Sequence, residues 1–146
     1  CGLHVVVDEQ VINISQMLSA INQRIEVLYD RDHSIGHAYF TSLFKAPDGV
    51  ERLKALSLIF KNRIIRLLEE YFFEDWQKIR LVVGDNQKVN EEQFIIEIQE
   101  HEENLNNLFG NNHGMGPYDI KPSYVLQDSS FMNPNAYISI YQTLFQ

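Results

Sequence analysis

Two stretches of this chain carry apolar residues at alternating spacings of three and four, and that pattern constrains the fold more than any other feature. From Ile14 to Leu28 the apolar positions are Ile14, Met17, Leu18, Ile21, Ile25 and Leu28, one stripe of a helix. Asn13 or Ser15 is placed to cap its start, and the helix is expected to stop near Tyr29 or Asp30. A second helix is predicted over 50–73, where Leu53, Leu56, Phe60, Ile64, Leu67 and Tyr71 recur at the same spacing. Leu58, Ile59, Ile65, Leu68 and Phe72 widen its stripe so far that more than one face needs cover, which makes this the central helix. Asp48, after Pro47, is its expected N-cap, with Glu51 completing a capping box. Lys61, Arg63 and Arg66 read as a solvated face. Acidic Glu69, Glu70, Glu74 and Asp75 crowd the C-terminal end, where the helix dipole disfavours them, so packing must hold that end.

The texture then changes. A short helix or strand spans 76–83 and is stopped by Gly84, Asp85 and Asn86. Residues 93–99, with FIIEI at their centre, read as a strand, and 124–127 as a second short one. Residues 104–109 read as a helical turn, and 110–123 as a loop rich in glycine and proline. Asn133 followed by Pro134 opens a closing helix that carries Ala136, Tyr137, Ile140, Tyr141 and Leu144. The fold class is mainly α with a small β element (α+β).

At 146 residues, one domain is the prior. No apolar run is long enough for a membrane span. Cys1 is the only cysteine, which excludes an intramolecular disulfide and a cysteine zinc cluster and suggests a reducing compartment. No basic, apolar leader is visible, so no secretion signal is expected. The formal net charge of −8 is unevenly spread: residues 1–88 hold 11 basic and 12 acidic side chains, residues 89–146 only Lys121 against eight acidic ones. The second segment would repel a phosphate backbone, and the first needs a local patch to bind one.

The motifs of self-sufficient nucleotide and hydrolytic sites are missing. The glycines stand at 2, 36, 49, 84, 110, 114 and 116, and none opens a Gly-Lys-Ser/Thr phosphate loop. Leu3–Glu9, an apolar run ending in Asp8 and Glu9, has the look of a magnesium-binding strand of P-loop enzymes; without a phosphate loop it reads better as an ordinary strand. Cys1 is a poor nucleophile candidate. His101 and His113 have no partners at ligand spacing, and His113 reads as a solvated loop residue. Residues 30–40, DRDHSIGHAYF, concentrate charge and histidine in one predicted loop. That loop is read either as a structural loop held by an Arg31–Asp32 pair and a buried, hydrogen-bonded histidine, or as a polar face aimed at a ligand held by another domain. A small hydrolase built on Asp8, Glu9, His33 and His37 is a third reading.

Residues 21–40, INQRIEVLYDRDHSIGHAYF, and 59–86, with IFKNRIIRLLEEYFFEDWQKIRLVVGDN, together about a third of the chain, resemble the lid of McrB-type AAA+ NTPases of modification-dependent restriction systems. FIIEI, NNLFG and NPNAYISIYQTL are similar to the C-terminal tail of many members. The resemblance implies a helical lid at 14–90, preceded by a segment 1–13 whose order is left open, and followed at 91–146 by an acidic tail with short strands and a terminal helix. It implies that the nucleotide-binding core lies outside these residues, so that this piece alone does not hydrolyse nucleotide. It implies GTP or ATP with magnesium in the parent protein, a hexameric ring of neighbouring subunits, an McrC-type nuclease partner, and DNA met only through the full complex of a 5-methylcytosine-specific restriction endonuclease. It also implies a cytoplasmic bacterial or archaeal setting, with no membrane. Arg31, His33, Gly36 and His37 become the nucleotide-sensing candidates: Ile35–His37 matches the family's Ile-Gly-His, Ser34 stands where the family has an arginine, and Gly36 permits close backbone approach. The alternative is a stand-alone interaction domain with an acidic docking tail.

Overall fold

The computed structural model describes residues 3–99, 101–116 and 119–145; Cys1 lies outside them. Strands β1 (His4–Val7) and β2 (Gln10–Asn13) pair antiparallel, Val5 opposite Ile12. Alternation puts Val5, Val7 and Ile12 in the core and leaves Val6 and Val11 on the outer face. Asp8 takes a left-handed conformation at φ +55° in the two-residue turn, so Asp8 and Glu9 form a hairpin tip and no metal-binding strand end. Residues 4–13, whose order the sequence leaves open, are thus a hairpin clamped at both ends: the Ile14 amide donates to the Leu3 carbonyl at 2.8 Å, and the Asn13 amide to the Tyr141 hydroxyl at 2.9 Å.

Helix α1 (Ile14–Leu28) starts at Asn13, whose side chain accepts from the Gln16 amide, and buries Ile14, Met17, Leu18, Ala20, Ile21 and Ile25. The stretch after it is not an open loop. Residues Arg31–His33 form one 3-10 turn capped by Asp30, and His37–Lys45 form a longer 3-10 segment that buries Phe40 and Leu43. Short apolar anchors at Ile35, Phe40 and Leu43 make this order possible despite the polar composition.

The central helix comes in three pieces: α2 (Val50–Ile59), a π turn over Phe60–Ile64, and α3 (Ile65–Tyr71). Its cap differs from expectation. Gly49 is the N-cap residue, while the Asp48 carboxylate accepts from the amides of Val6 at 3.0 Å and Gly49 at 2.9 Å. Asp48 therefore ties the hairpin to the helix start, and those hydrogen bonds hold its carboxyl below the usual value. Helix α4 (Trp76–Val82) follows, capped by Asp75.

Strands β3 (Ile95–Ile98) and β4 (Ser123–Leu126) form a second antiparallel pair, Ile96 opposite Val125. Between them lies α5 (Glu102–Phe109), longer than a single turn. Helix α6 (Pro134–Tyr141) closes the fold, with Asn133 capping and Pro134 in the first turn. One hydrophobic core runs through all of these parts, from Val5 to Tyr141. Its centre is aromatic: the Phe94 ring lies 4.9 Å from Phe60, 4.7 Å from Phe131 and 5.1 Å from Tyr137, and the Tyr137 hydroxyl donates to the Phe131 carbonyl at 2.8 Å. Among the described residues no helix is long and apolar enough to cross a membrane.

Candidate functional site

The sensing candidates sit where α1 turns into the first 3-10 segment. Asn22, on the flank of α1, clamps this turn from thirteen residues away: the Ile35 amide donates to its Oδ1 at 2.6 Å, and its Nδ2 donates to the Ile35 carbonyl at 2.9 Å. With its side chain buried and both backbone groups held, Ile35 fixes the path of the chain into Gly36 and His37. Gly36 and His37 are then exposed, followed by exposed Ala38 and Tyr39 before Phe40 re-enters the core. The result is a rigidly based, outward-facing rim.

The four candidates have different surroundings. The Nδ1–H of His33 donates to the Asp30 carboxylate at 2.6 Å, and that same oxygen accepts the His33 amide at 2.9 Å. A carboxylate only accepts, so this bond orients the imidazole and leaves Nε2 as its free nitrogen. The ring lies against Tyr29, centroids 4.6 Å apart, and edge-on to Tyr71 at 5.1 Å. Burial, with Tyr39 and Asp30 nearby, raises the Tyr71 phenol above its ordinary value and keeps it a neutral donor. Arg31 points to Glu26, Nε to Oε1 at 3.2 Å, and is largely exposed; a pair this exposed is weak and readily exchanged. His37 carries an exposed ring with no hydrogen-bond partner among the described residues. At Gly36 nothing lies within 4 Å of where a Cβ would be, and its φ of −87° is ordinary. Among the described residues, no part of the chain makes the close approach that a glycine would permit there.

Asp8 and Glu9 do not join His33 or His37 through any hydrogen bond or ion pair among the described residues, so the hydrolase built on those four residues has no assembled site. Nor does any group of three His, Cys, Asp or Glu converge to hold a metal ion among the described residues.

His113 departs from its reading as a solvated residue. Its side chain is only 5 % exposed; Nδ1 accepts from the Met115 amide at 3.0 Å, and Nε2 donates to Glu102 at 3.1 Å. It pins the 110–116 loop onto α5, a structural role.

Sequence reasoning missed two groups. Asn22 stood in the polar half of a helical stripe, and nothing local points thirteen residues ahead. Asp85 read as a helix stop, yet it is fully buried, accepting from the amides of Phe94 at 3.1 Å and Ile95 at 2.8 Å and from Lys88 Nζ at 2.9 Å. This knot joins the end of α4 to β3, beneath the aromatic core.

No curated protein matches the chain significantly. A family model does: that of the McrB alpha-helical lid domain matches residues 13–80, a little under half of the chain. The matched segment begins at the Asn13 cap of α1 and ends inside α4, and it contains the clamped turn with Arg31, His33, Gly36 and His37. Residues 13–80 of this chain are thus similar to the McrB alpha-helical lid domains.

Proposed function

We propose that residues 13–80 close over a nucleotide held by an AAA+ core outside them, and that the exposed rim at Gly36–His37 faces its phosphates. The observation that carries this reading is the bidentate Asn22–Ile35 clamp, which holds an unpartnered imidazole outward at the position of the family's Ile-Gly-His. His37 donates to a phosphate oxygen when the nucleotide is seated, a charge-assisted hydrogen bond that hydrolysis alters. His33 Nε2 is a second donor when its ring is protonated, and Arg31 exchanges Glu26 for the nucleotide. Ser34, in place of an arginine, leaves sensing to these three.

The nucleotide is GTP or ATP. Magnesium neutralises its phosphates and is held by the core. The parent is a subunit of a ring of like subunits, hexameric in this reading, working with an McrC-type nuclease in a bacterial or archaeal cytoplasm. DNA is met through the whole assembly. The net charge of −7 on residues 89–146 supports placing the DNA contacts elsewhere.

The test is His37→Ala in the parent protein. Nucleotidase activity is expected to fall while the unfolding transition stays within about 0.5 kcal/mol, as for an exposed side chain. Activity equal to wild type, with folding intact, rejects the site.

A further inference from the structure

Helix α3 ends in an unfavourable way. The Glu74 amide donates to the Glu69 carbonyl at 3.0 Å, the six-to-one bond that closes a helix through a left-handed residue. That residue is Phe73, at φ +50°, and Glu74 follows at +60°. Glycine suits such a position, since a Cβ there crowds the next carbonyl oxygen. Phe73 gains no burial in return, being 86 % exposed. The apolar contact that often accompanies this cap is replaced by two carboxylates, Glu69 and Glu74. Glu70 extends the acidic rim around the ring, with Arg66 as the cation beside it. The chain therefore holds an aromatic side chain out in water, on a strained tip, inside a ring of negative charge. Strain of this kind points to function, and an exposed aromatic is the usual anchor of a protein contact.

A surface of opposite character lies on the same chain. An open groove of about 410 Å³ between α1 and α4 is lined by Val27, Leu28, Leu81 and Leu144. Val27 is 84 % exposed, a large apolar side chain with no cover. Arg24 stands in its wall. Its guanidinium donates to the Val82 carbonyl at 3.1 Å, and no carboxylate pairs with it among the described residues. The groove thus offers apolar walls and one uncompensated cation, the complement of an aromatic ring with an acidic rim.

We propose that Phe73 of one copy of this chain seats in the Val27–Leu81–Leu144 groove of a second copy, its acidic rim facing Arg24. Knob and groove are different patches, so the contact is head-to-tail and propagates into a ring or an open filament. The proposal deepens the subunit contacts of the proposed function and rests on that reading only for the size of the ring. It uses neither His33 nor His37 and is tested without nucleotide, so its failure leaves the phosphate-facing rim standing, and failure of the rim leaves the contact standing.

The experiment is sedimentation equilibrium on the 146-residue chain. Wild type is expected to self-associate with rising concentration. Phe73→Gly, which relieves the left-handed strain, is expected to unfold at no lower temperature than wild type, yet to weaken association by about tenfold or more, the effect of losing an interface anchor. Val27→Glu, at an exposed position, is expected to do the same from the groove side. Mixing the two variants restores one intact contact, Phe73 of the Val27→Glu chain in the groove of the Phe73→Gly chain, and a dimer is expected to reappear. A wild type that stays monomeric at its solubility limit overturns the proposal. Association unchanged in Phe73→Gly, or lost in Phe73→Gly but unchanged in Val27→Glu, overturns it too, the latter by sending Phe73 to a different partner such as the nucleotide-binding core.

Discussion

Lys88 carries an ammonium that water does not reach, with the Asp85 carboxylate at 2.9 Å and the Phe94 ring centroid at 4.0 Å. Burial pushes this amine down to about 8, against the pull of Asp85. Between pH 8 and its ordinary value of 10.5, the unfolded chain holds a proton that the folded chain has released. Unfolding takes up that proton, so stability rises with pH across the window, by on the order of 2 kcal/mol at pH 10. Tyr137 acts in the opposite direction: burial raises its phenol, so its contribution is complete below about pH 10 and fades above. The expected outcome is a denaturation midpoint that climbs from pH 8 to pH 10, with a smaller climb in Lys88→Met. Equal slopes in both proteins would remove Lys88 as the cause. Neither residue announced this role. Lys88 and Asp85 are three apart, a spacing that salt bridges on any surface helix share, and only the arrival of Phe94 and Ile95 encloses them.

Among the elements, the central helix is the instructive case. Its apolar residues are too many for one stripe, which the sequence explains by two covered faces. The structure supplies a different cause. The π turn at Phe60–Ile64 adds one residue to the helical count, so the buried row passes from Leu53, Leu56, Phe60 and Ile64 to Ile65, Leu68 and Phe72. Leu58 is left 55 % exposed, and Leu67 and Tyr71 only half-buried. Phe60 sits at the start of this shift and meets both Phe94 and, edge-on, Tyr137 at 5.2 Å. Phe60→Ala is expected to cost about 3–5 kcal/mol, read by chemical denaturation. A loss under about 1 kcal/mol would mean that the helix turns another face to the core. Caps were legible where the partner is local, as at Asn13 and Asn133, and misread at Asp48, whose carboxylate is drawn away by the amide of Val6, forty-two residues earlier.

For the whole molecule, the tail after residue 90 is part of the lid's interior. Phe94, Phe131 and Tyr137 fill the space above Phe60, and Tyr141 anchors the hairpin through the Asn13 amide. A chain ending at residue 90 would expose that aromatic layer. It is expected to lose cooperative unfolding and near-ultraviolet circular dichroism, because the remaining segments share one core. A sharp two-state transition in the shortened chain would show instead that the lid folds without its tail.

The amino-acid sequence alone indicated the two long helices, the local caps at Asn13 and Asn133, the short strands near 93–99 and 124–127 and the likeness of residues 21–40 and 59–86 to a lid, because each is written in periodicity or in contiguous residues. Tertiary structure decided which polar residues matter. Asn22, Asp48 and Asp85 act through partners nine to forty-two positions away, and a buried or clamping side chain is chemically the same as a solvated one until packing removes the water. It also decided that Phe73, the last residue of the predicted helix, is held in the open, since the chain turns left-handed at that residue.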